Sequence, residues 1–255
     1  MEKLKSFSSK WYFFAILVMA QFVLMPFSSR NFNPMNSGYV VSMTLSNAPQ
    51  VHLGSLNVLF QSLSLLLLIL LLVLKDKFRK LFNIYVTLSY LSFAFIQNVA
   101  ITEEFGFSMV TVNVVMFLMV AYVWIREVLH SENHYDFSNF SWKYSWMIVL
   151  ALFAYICPFN QQGQLDFNLL HFFNRNTATA FCLTTPLFLT ILTLNLPKIN
   201  IVTYRITAVI GFIVGIYNMA SFFNPDTIWS GFLHLPLLII SLYCAILSYM
   251  PKKTK

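Results

Sequence analysis

The side chains that could do chemistry in this sequence are amides, carboxylates, a phenol and one imidazole near the ends of long apolar segments. They comprise Gln97, Asn98, Glu103, Glu104, Tyr217, Asn218 and His234. Polar groups are costly in hydrocarbon, and they tend to pair with one another or to line cavities. Because amides both donate and accept hydrogen bonds, we expect these residues to form an outward-opening pocket for a neutral or weakly polar ligand.

A simpler interpretation of the same amides is hydrogen bonding between neighbouring helices. Such bonds contribute only about 0.6 kcal/mol on average in membranes, and they require no ligand. If the chain arose by duplication, as argued below, Gln97 and Asn98 occupy the positions of Tyr217 and Asn218 in the other half. A central axis would then bring the two pairs face to face.

Acid–base chemistry is a further possibility at the outer face. An ionisable group inside a membrane segment is a functional candidate, and His234 lies six residues into the last apolar segment. Glu103 and Glu104 could supply carboxylates for general acid–base catalysis. A membrane enzyme acting through these residues is therefore an alternative to a binding protein.

Metal and cofactor sites are not predicted. Glu127, His130 and His134 would share one helical face if the fourth apolar segment continued as a helix, but the chain has no HExxH motif. The three cysteines are widely separated and form no CxxC pair, so they indicate neither a disulfide framework nor a metal knuckle. We expect no metal and no cofactor.

The composition indicates that membrane helices hold these residues. Hydrophobic residues make up 58% of the chain and charged residues only 10%, compared with about 25% charged in soluble domains. The same values exclude intrinsic disorder. The net charge of +7 falls in short loops between apolar segments, so the membrane explains it and we expect no nucleic-acid partner.

Eight apolar segments predict an all-α integral membrane protein with eight transmembrane helices. Crossing a bilayer takes about 20 apolar residues, with about 17 tolerated. The segments cover residues 11–27, 53–74, 81–101, 107–125, 144–159, 178–196, 201–223 and 228–250. We expect the first to be retained, because no A-x-A-like cleavage site follows it; cleavage would leave seven segments and an outer N-terminus.

The basic residues predict the orientation of these segments. Of the 16 Lys and Arg residues, all but Arg30 and Arg175 fall on one side of the predicted membrane. Short cytoplasmic loops carry the excess of positive charge. With an even number of segments, both termini are expected in the cytoplasm, and we expect the host to be the plasma membrane.

The order of features predicts an internal duplication into residues 1–130 and 131–255. Each half begins with a tryptophan and an apolar segment that ends in Pro-Phe, followed by a long polar loop. Each half also carries an Ile-x-Asn-x-Ala sequence, at residues 96–100 and 216–220, before a short acidic turn. Two repeats of four helices would be parallel, related by an axis along the membrane normal. Chance similarity between apolar sequences is the alternative.

Three functions are compatible with these patterns. The first is a protein that binds, or facilitates the passage of, a small neutral or amphipathic molecule, as in transport, lipid handling or sensing. The second is an accessory subunit of a membrane complex without chemistry of its own, whose aromatic surface contacts a partner protein. The third is the outer-face enzyme. The lipid bilayer is the partner common to all three.

Overall fold

The computed structural model describes residues 2–138, 140–160 and 163–250. The described chain is mainly helical, with one small sheet. The helices are α1 Glu2–Ser8, α2 Trp11–Val23, α3 Ser37–Ser46, α4 Leu56–Leu74, α5 Arg79–Phe95, α6 Thr111–His130, α7 Ser145–Ile156, α8 Leu169–Asn174, α9 Phe181–Leu194, α10 Ile201–Asn218 and α11 Ile228–Tyr249. The strands are β1 Phe27–Ser28, β2 Val99–Thr102 and β3 Gly106–Met109.

Several helices are long and apolar enough to cross a bilayer. Four stretches in the described residues qualify: Leu56–Phe95, Thr111–His130, Ile201–Phe223 and Pro225–Tyr249. A fifth forms if Leu170–Thr179 and Phe181–Leu194, which meet at 84°, are one bent span. The expected helical membrane architecture is thus confirmed in outline. The count of eight spans and the duplication stay predictions.

The surface of α4 shows why these helices belong in lipid. Leu-rich sequence favours helix, and 19 residues extend over about 28 Å, close to the hydrocarbon thickness of about 30 Å. Leu59, Leu66 and Leu72 are all exposed on its outer face. An apolar face of this extent is costly in water and is matched by lipid tails.

The first of these four stretches, Leu56–Phe95, reverses direction between α4 and α5. The backbone of Lys75 has a positive φ of 51°, which ends α4. Beyond that break, the hydroxyl of Tyr85 lies 2.6 Å from the hydroxyl of Ser64. In one continuous helix these residues would be separated by about 30 Å, so α5 folds back alongside α4.

Aromatic side chains fill the centre of the helical bundle. The rings of Phe117 and Phe181 stack with centroids 4.0 Å apart, which joins α6 to α9. Tyr90 and Phe93 of α5 pack edge-on against the ring of Phe181. All of these rings are fully or almost fully buried. Aromatic pairs of this geometry contribute about 0.5–1.5 kcal/mol beyond their area burial, so they fix α5, α6 and α9 relative to one another.

A small antiparallel sheet forms at one end of the bundle, with strand order β1-β3-β2. Val99 pairs with Met109 and Thr102 with Gly106, so β2 and β3 form a hairpin. Gly106 has φ of 60°, a conformation that glycine adopts without steric cost. The sequence predicted a helix through residue 101, and this was wrong because residues 99–102 form β2. Their backbone N–H and C=O groups pair with β3 and do not continue the hydrogen bonding of α5.

The end of α1 and the end of α11 meet at the opposite end of the bundle, called the terminal end below. The hydroxyl of Tyr249, at the end of α11, donates to the carbonyl of Ser8 at 3.0 Å. The guanidinium of Arg205 donates to the carbonyl of Ser248 at 2.6 Å and to the hydroxyl of Ser8 at 3.3 Å. Since α10 begins and α11 ends here, the start of α11 and the end of α10 lie at the sheet end.

A buried carboxylate stabilises the end of the bundle that carries the termini. Glu127 is 1% exposed and lies near the end of α6. Its carboxylate accepts hydrogen bonds from the backbone N–H of Asn133 at 3.0 Å and from the hydroxyl of Thr203 at 3.1 Å. The side-chain amide of Asn200 donates to the same carboxylate. These bonds tie the segment after α6 to the start of α10.

Candidate functional site

A cavity of about 440 Å³, lined by both polar and apolar side chains, lies at the sheet end of the bundle, where α7 ends and α9 and α11 begin. Its size falls in the range of small-molecule sites, about 300–1,000 Å³. The lining residues are Gln50, Val51, Asn57, Gln97, Cys157, Phe159, Asn160, Asn174, Arg175, Asn176, Ala180, Cys182, Leu183, Trp229, Ser230, Leu233 and His234. Two other cavities of similar size exist; one is an apolar groove beside α2, and the other adjoins the termini.

Two glutamines hold the bend that forms the floor of this cavity. The side-chain oxygen of Gln61 accepts the backbone N–H of Ala178 at 3.0 Å and the hydroxyl of Thr177 at 2.9 Å. The side-chain oxygen of Gln97 accepts the backbone N–H of Phe181 at 3.0 Å. Irregular backbone needs such partners inside a membrane, so these amides make the 84° bend before α9 possible.

The amide nitrogen of Gln97 is available to a ligand. Its oxygen is used by Phe181, and within the described chain no hydrogen bond engages the nitrogen. Gln97 is partly exposed and lines the cavity. The side chain therefore presents a hydrogen-bond donor to the cavity.

A second polar atom comes from α4. Asn57 is 8% exposed, and its Oδ1 has no hydrogen-bond partner within the described residues. A buried acceptor without a partner costs about 1–3 kcal/mol. Asn57 lines the cavity, and although its Oδ1 is covered, a ligand donor could satisfy this acceptor once the amide turns toward the cavity.

His234 contributes an imidazole from the first turns of α11. Its Nδ1 lies 2.6 Å from the carbonyl oxygen of Ser230. A carbonyl can only accept, so Nδ1 carries the proton, and in the neutral ring Nε2 is an acceptor. The backbone bond fixes this tautomer and the ring orientation.

Cys157 occupies the end of α7 in a conformation that is rare for a residue with a side chain. Its φ of 52° and ψ of 70° lie in the left-handed region, which costs about 1–2 kcal/mol. Burial raises the pKa of the Cys157 thiol above its ordinary value, and the nearby charge of Arg175 opposes this in part. The thiol is therefore largely protonated near pH 7.

Arg175 is the cationic residue of the cavity wall, and an ion pair neutralises it. Its guanidinium donates to the carboxylate of Asp166 at 3.1 Å and to the carbonyl of Ile156 at 3.0 Å. Asp166 also lies 2.6 Å from Nδ1 of His171. Bonds from the N–H of Asn168 and from His171 lower the pKa of Asp166 below its ordinary value. No carboxylate is among the described residues that line the cavity.

The predicted site residues do not all lie together. Gln97 and His234 line the cavity. Asn218 lies next to it, because its amide donates to Sγ of Cys182 at 3.1 Å. Asn98 is 1% exposed and serves the backbone, donating to the carbonyl of Phe93 at 2.7 Å. Tyr217 is 51% exposed and is not a cavity residue.

The two predicted carboxylates lie in the turn between β2 and β3. Glu104 accepts a hydrogen bond from the hydroxyl of Tyr39 at 3.0 Å, and this bond raises the pKa of that phenol. Glu103 is exposed in the same turn. Neither lines the cavity with His234, so the structure does not bring the three groups together.

Sequence reasoning missed Asn57 as a site residue. The available signal was an amide at the start of a Leu-rich segment, one turn before Gln61. A search limited to charged side chains does not find Asn57. Asn174 and Asn176 could not be placed either, because the bend that brings them to the cavity depends on contacts with distant helices.

The possible metal face on the fourth segment is not assembled. Glu127 is buried in its hydrogen-bond network, whereas His134 lies at the surface, 3.3 Å from the carboxylate of Asp76. Across the described residues, no group of three or more His, Cys, Asp or Glu side chains could hold a metal ion.

Comparison of the chain with protein-family models, with curated proteins and with solved structures finds no match. The class of protein therefore rests on the fold and the site. They define a helical protein with apolar spans and, at the sheet end, a cavity whose wall carries amides and one paired cation.

Proposed function

We propose that this protein is an integral membrane protein that binds a small neutral or amphipathic molecule in the cavity, as a carrier, lipid-handling protein or sensor. The observation that carries the proposal is the charge balance of this cavity. Its wall presents amides from several elements, while its cation, Arg175, is paired with Asp166. A neutral ligand would gain hydrogen bonds there without bringing an unpaired charge into a poorly solvated site.

The distribution of charge supports an outward orientation of the cavity, with both termini in the cytoplasm of a cell whose plasma membrane hosts the protein. Lys5 and Lys198 line a cavity at the terminal end, and Arg205 is bonded there. Arg30 and Arg175 are the basic residues of the opposite end. Cytoplasmic faces carry the excess of Lys and Arg.

Binding or facilitated passage fits the site better than ion-coupled pumping. Coupled pumps use ionisable relays within their spans. Glu127, the buried carboxylate of the described spans, is held by three donors at the other end of the bundle, away from the cavity.

Native mass spectrometry on protein released gently from its membrane tests the proposal. We expect a reproducible small-molecule or lipid adduct on the wild type. The double substitution Asn57→Leu with Gln97→Leu should remove the adduct, whereas Gln21→Leu, an amide outside the cavity, should keep it. An adduct that survives the double substitution would refute the cavity assignment. Recovery only with other polypeptides, and without an adduct, would favour the accessory-subunit function.

A thiol enzyme is the second candidate function. The favouring observation is that Cys157, Arg175 and His234 line one cavity, since a thiol near a cation and an imidazole can be activated as a nucleophile. The raised pKa of Cys157 disfavours this function, because the thiolate is the reactive form. Substituting Cys157→Ala separates the two: a binding protein keeps its adduct unchanged, whereas an enzyme accumulates unconverted ligand.

A further inference from the structure

We infer that the ligand is a neutral polyhydroxylated group: a sugar, either free or as the headgroup of a lipid. The inference rests on the proposed function and specifies the chemistry of its ligand. It follows from the kinds of hydrogen-bonding atoms that the cavity presents and from its aromatic wall.

The first step is the buried acceptor on α4. Oδ1 of Asn57 is enclosed and unpartnered among the described residues, in a side chain more than nine-tenths buried. A bound donor would offset the cost of leaving this oxygen without a hydrogen bond. A ligand that satisfies this oxygen, once the amide turns toward the cavity, would carry at least one O–H or N–H group.

The second step is the mixture of donors and acceptors. Nε2 of Gln97 is a donor, whereas Oδ1 of Asn57 and Nε2 of His234 are acceptors, and they come from three different parts of the chain. A hydroxyl group both donates and accepts, so several hydroxyls on one scaffold match such a wall. A purely donating ammonium would leave the amide nitrogen unpaired, and a purely accepting ester would leave Asn57 unpaired.

The third step is the aromatic side of the cavity. The rings of Trp229 and Phe159 lie with centroids 6.1 Å apart. The indole N–H donates to the carbonyl of Asp226 at 3.1 Å. A Cβ at Gly163, whose φ is 75°, would collide with the indole, so only glycine allows the backbone this close. The held ring offers apolar surface to the C–H groups of a sugar ring.

The charges at the cavity favour a neutral sugar over an anionic one. A phosphosugar or a uronic acid would need a free cation, but the guanidinium of Arg175 is already bonded to Asp166 and to the carbonyl of Ile156. A second anion there would compete with the carboxylate of Asp166. Neutral hydroxyl groups would not compete with Asp166 for the guanidinium of Arg175.

The test uses the full-length protein in detergent that contains no sugar, with Cys157 as the reporter. Cys157 is partly exposed on the cavity wall, so a bound ligand should slow its reaction with a small maleimide. The probes are glucose, galactose and mannose, and diacylglycerol lipids that carry one glucose or one galactose. Diacylglycerol without a sugar and phosphatidylglycerol are the matched controls.

We expect at least one sugar probe to slow the labelling of Cys157 at least tenfold, and both controls to have little effect. Protection by a free hexose identifies a soluble sugar as the ligand; protection by the glycolipid alone identifies a lipid headgroup. Asn57→Leu should weaken the effective probe about tenfold, or about 1.4 kcal/mol, while Gln21→Leu should not.

Two results would overturn the inference and are distinguishable. If a control lipid protects Cys157 and the sugar probes do not, the cavity binds a ligand but not a sugar, and the proposed function stands. If none of the probes protects Cys157 and the purified protein carries no adduct, the sugar inference and the binding function both fail. The wild-type measurements decide this even if Asn57→Leu does not fold.

Discussion

The side-chain amide of Asn113 donates to the side-chain oxygen of Asn98 at 2.8 Å. Asn98 in turn donates to the carbonyl of Phe93, and its own carbonyl accepts the N–H of Val110 at 2.9 Å. These bonds link the end of α5 to the start of α6 around the β2–β3 hairpin. Asn98, one of the amides predicted to face a ligand, is thus engaged within the fold.

Replacing Asn98→Ala should therefore reduce stability without changing ligand affinity. The substitution removes two buried hydrogen bonds, and the expected loss is about 1–3 kcal/mol in the free energy of unfolding. Thermal unfolding in detergent measures it, and binding per folded molecule is the control. A variant of normal stability that fails to bind would return Asn98 to the site.

Replacing Glu127→Leu should destabilise the terminal end of the bundle strongly. Three buried donors lose their acceptor: the N–H of Asn133, the amide of Asn200 and the hydroxyl of Thr203. At about 1–3 kcal/mol each, the loss is at least about 3 kcal/mol. Unfolding measurements on Glu132→Leu provide the matched control, since Glu132 is exposed in the same segment. Equal effects of the two substitutions would contradict the network.

Among the cysteines, Cys157 should react first with a small maleimide. Cys182 is 8% exposed and Cys244 fully buried. Because burial raises the pKa of Cys157 above its ordinary value of 9.0, its thiolate fraction should increase about tenfold from pH 7 to pH 8 and should still be rising at pH 9. Mass spectrometry of the labelled protein locates the adduct. A plateau below pH 8 would show a lowered pKa and would favour the enzyme.

Acidification should loosen the loop between α7 and α8. The pKa of Asp166 is depressed in the folded state, so its stabilising contribution is present above the ordinary value of 3.8 and is lost as the pH falls below it. Hydrogen exchange of residues 163–175 at pH 6 and pH 3, expressed as protection relative to the intrinsic exchange rate at each pH, measures the effect. In Asp166→Asn, protection should already be low at pH 6 and should show little further change.

The orientation can be tested with a cysteine in the loop after β1. In a Cys157→Ser background, Asn33→Cys should react with a membrane-impermeant maleimide added to intact cells, because Asn33 is exposed at the sheet end. Tags on either terminus should stay inaccessible until the membrane is opened. Labelling of both termini from outside would reverse the proposed orientation.

Helices and apolar faces could be predicted because they depend on local pattern. Each of the eight predicted segments contains a helix, and in the long ones the apolar runs set the length. The cavity could not be predicted in the same way. Gln61 meets Ala178 across 117 positions and Gln97 meets Phe181 across 84. Such pairs depend on how the helices pack, which the local sequence does not reveal.

The Ile-x-Asn-x-Ala sequence at residues 96–100 and 216–220 shows that a shared sequence pattern does not ensure a shared structure. Val99 and Ala100 belong to β2, whereas Met219 and Ala220 form a 3-10 turn after α10. Ala100 and Ala220, which are identical, take different conformations because β3 offers the first copy a strand partner. Apolar residues at matching spacing do not distinguish these outcomes.

The sheet indicates how deeply the molecule lies in the membrane. Strands β1 and β2 are its edges, and edge N–H and C=O groups that find no water are not tolerated among acyl chains. The headgroup layer must therefore begin at or below β2. Gln97 lies two residues before that strand, so in the binding function that we propose this part of the cavity lies level with the lipid headgroups, within reach of a ligand that stays in the leaflet.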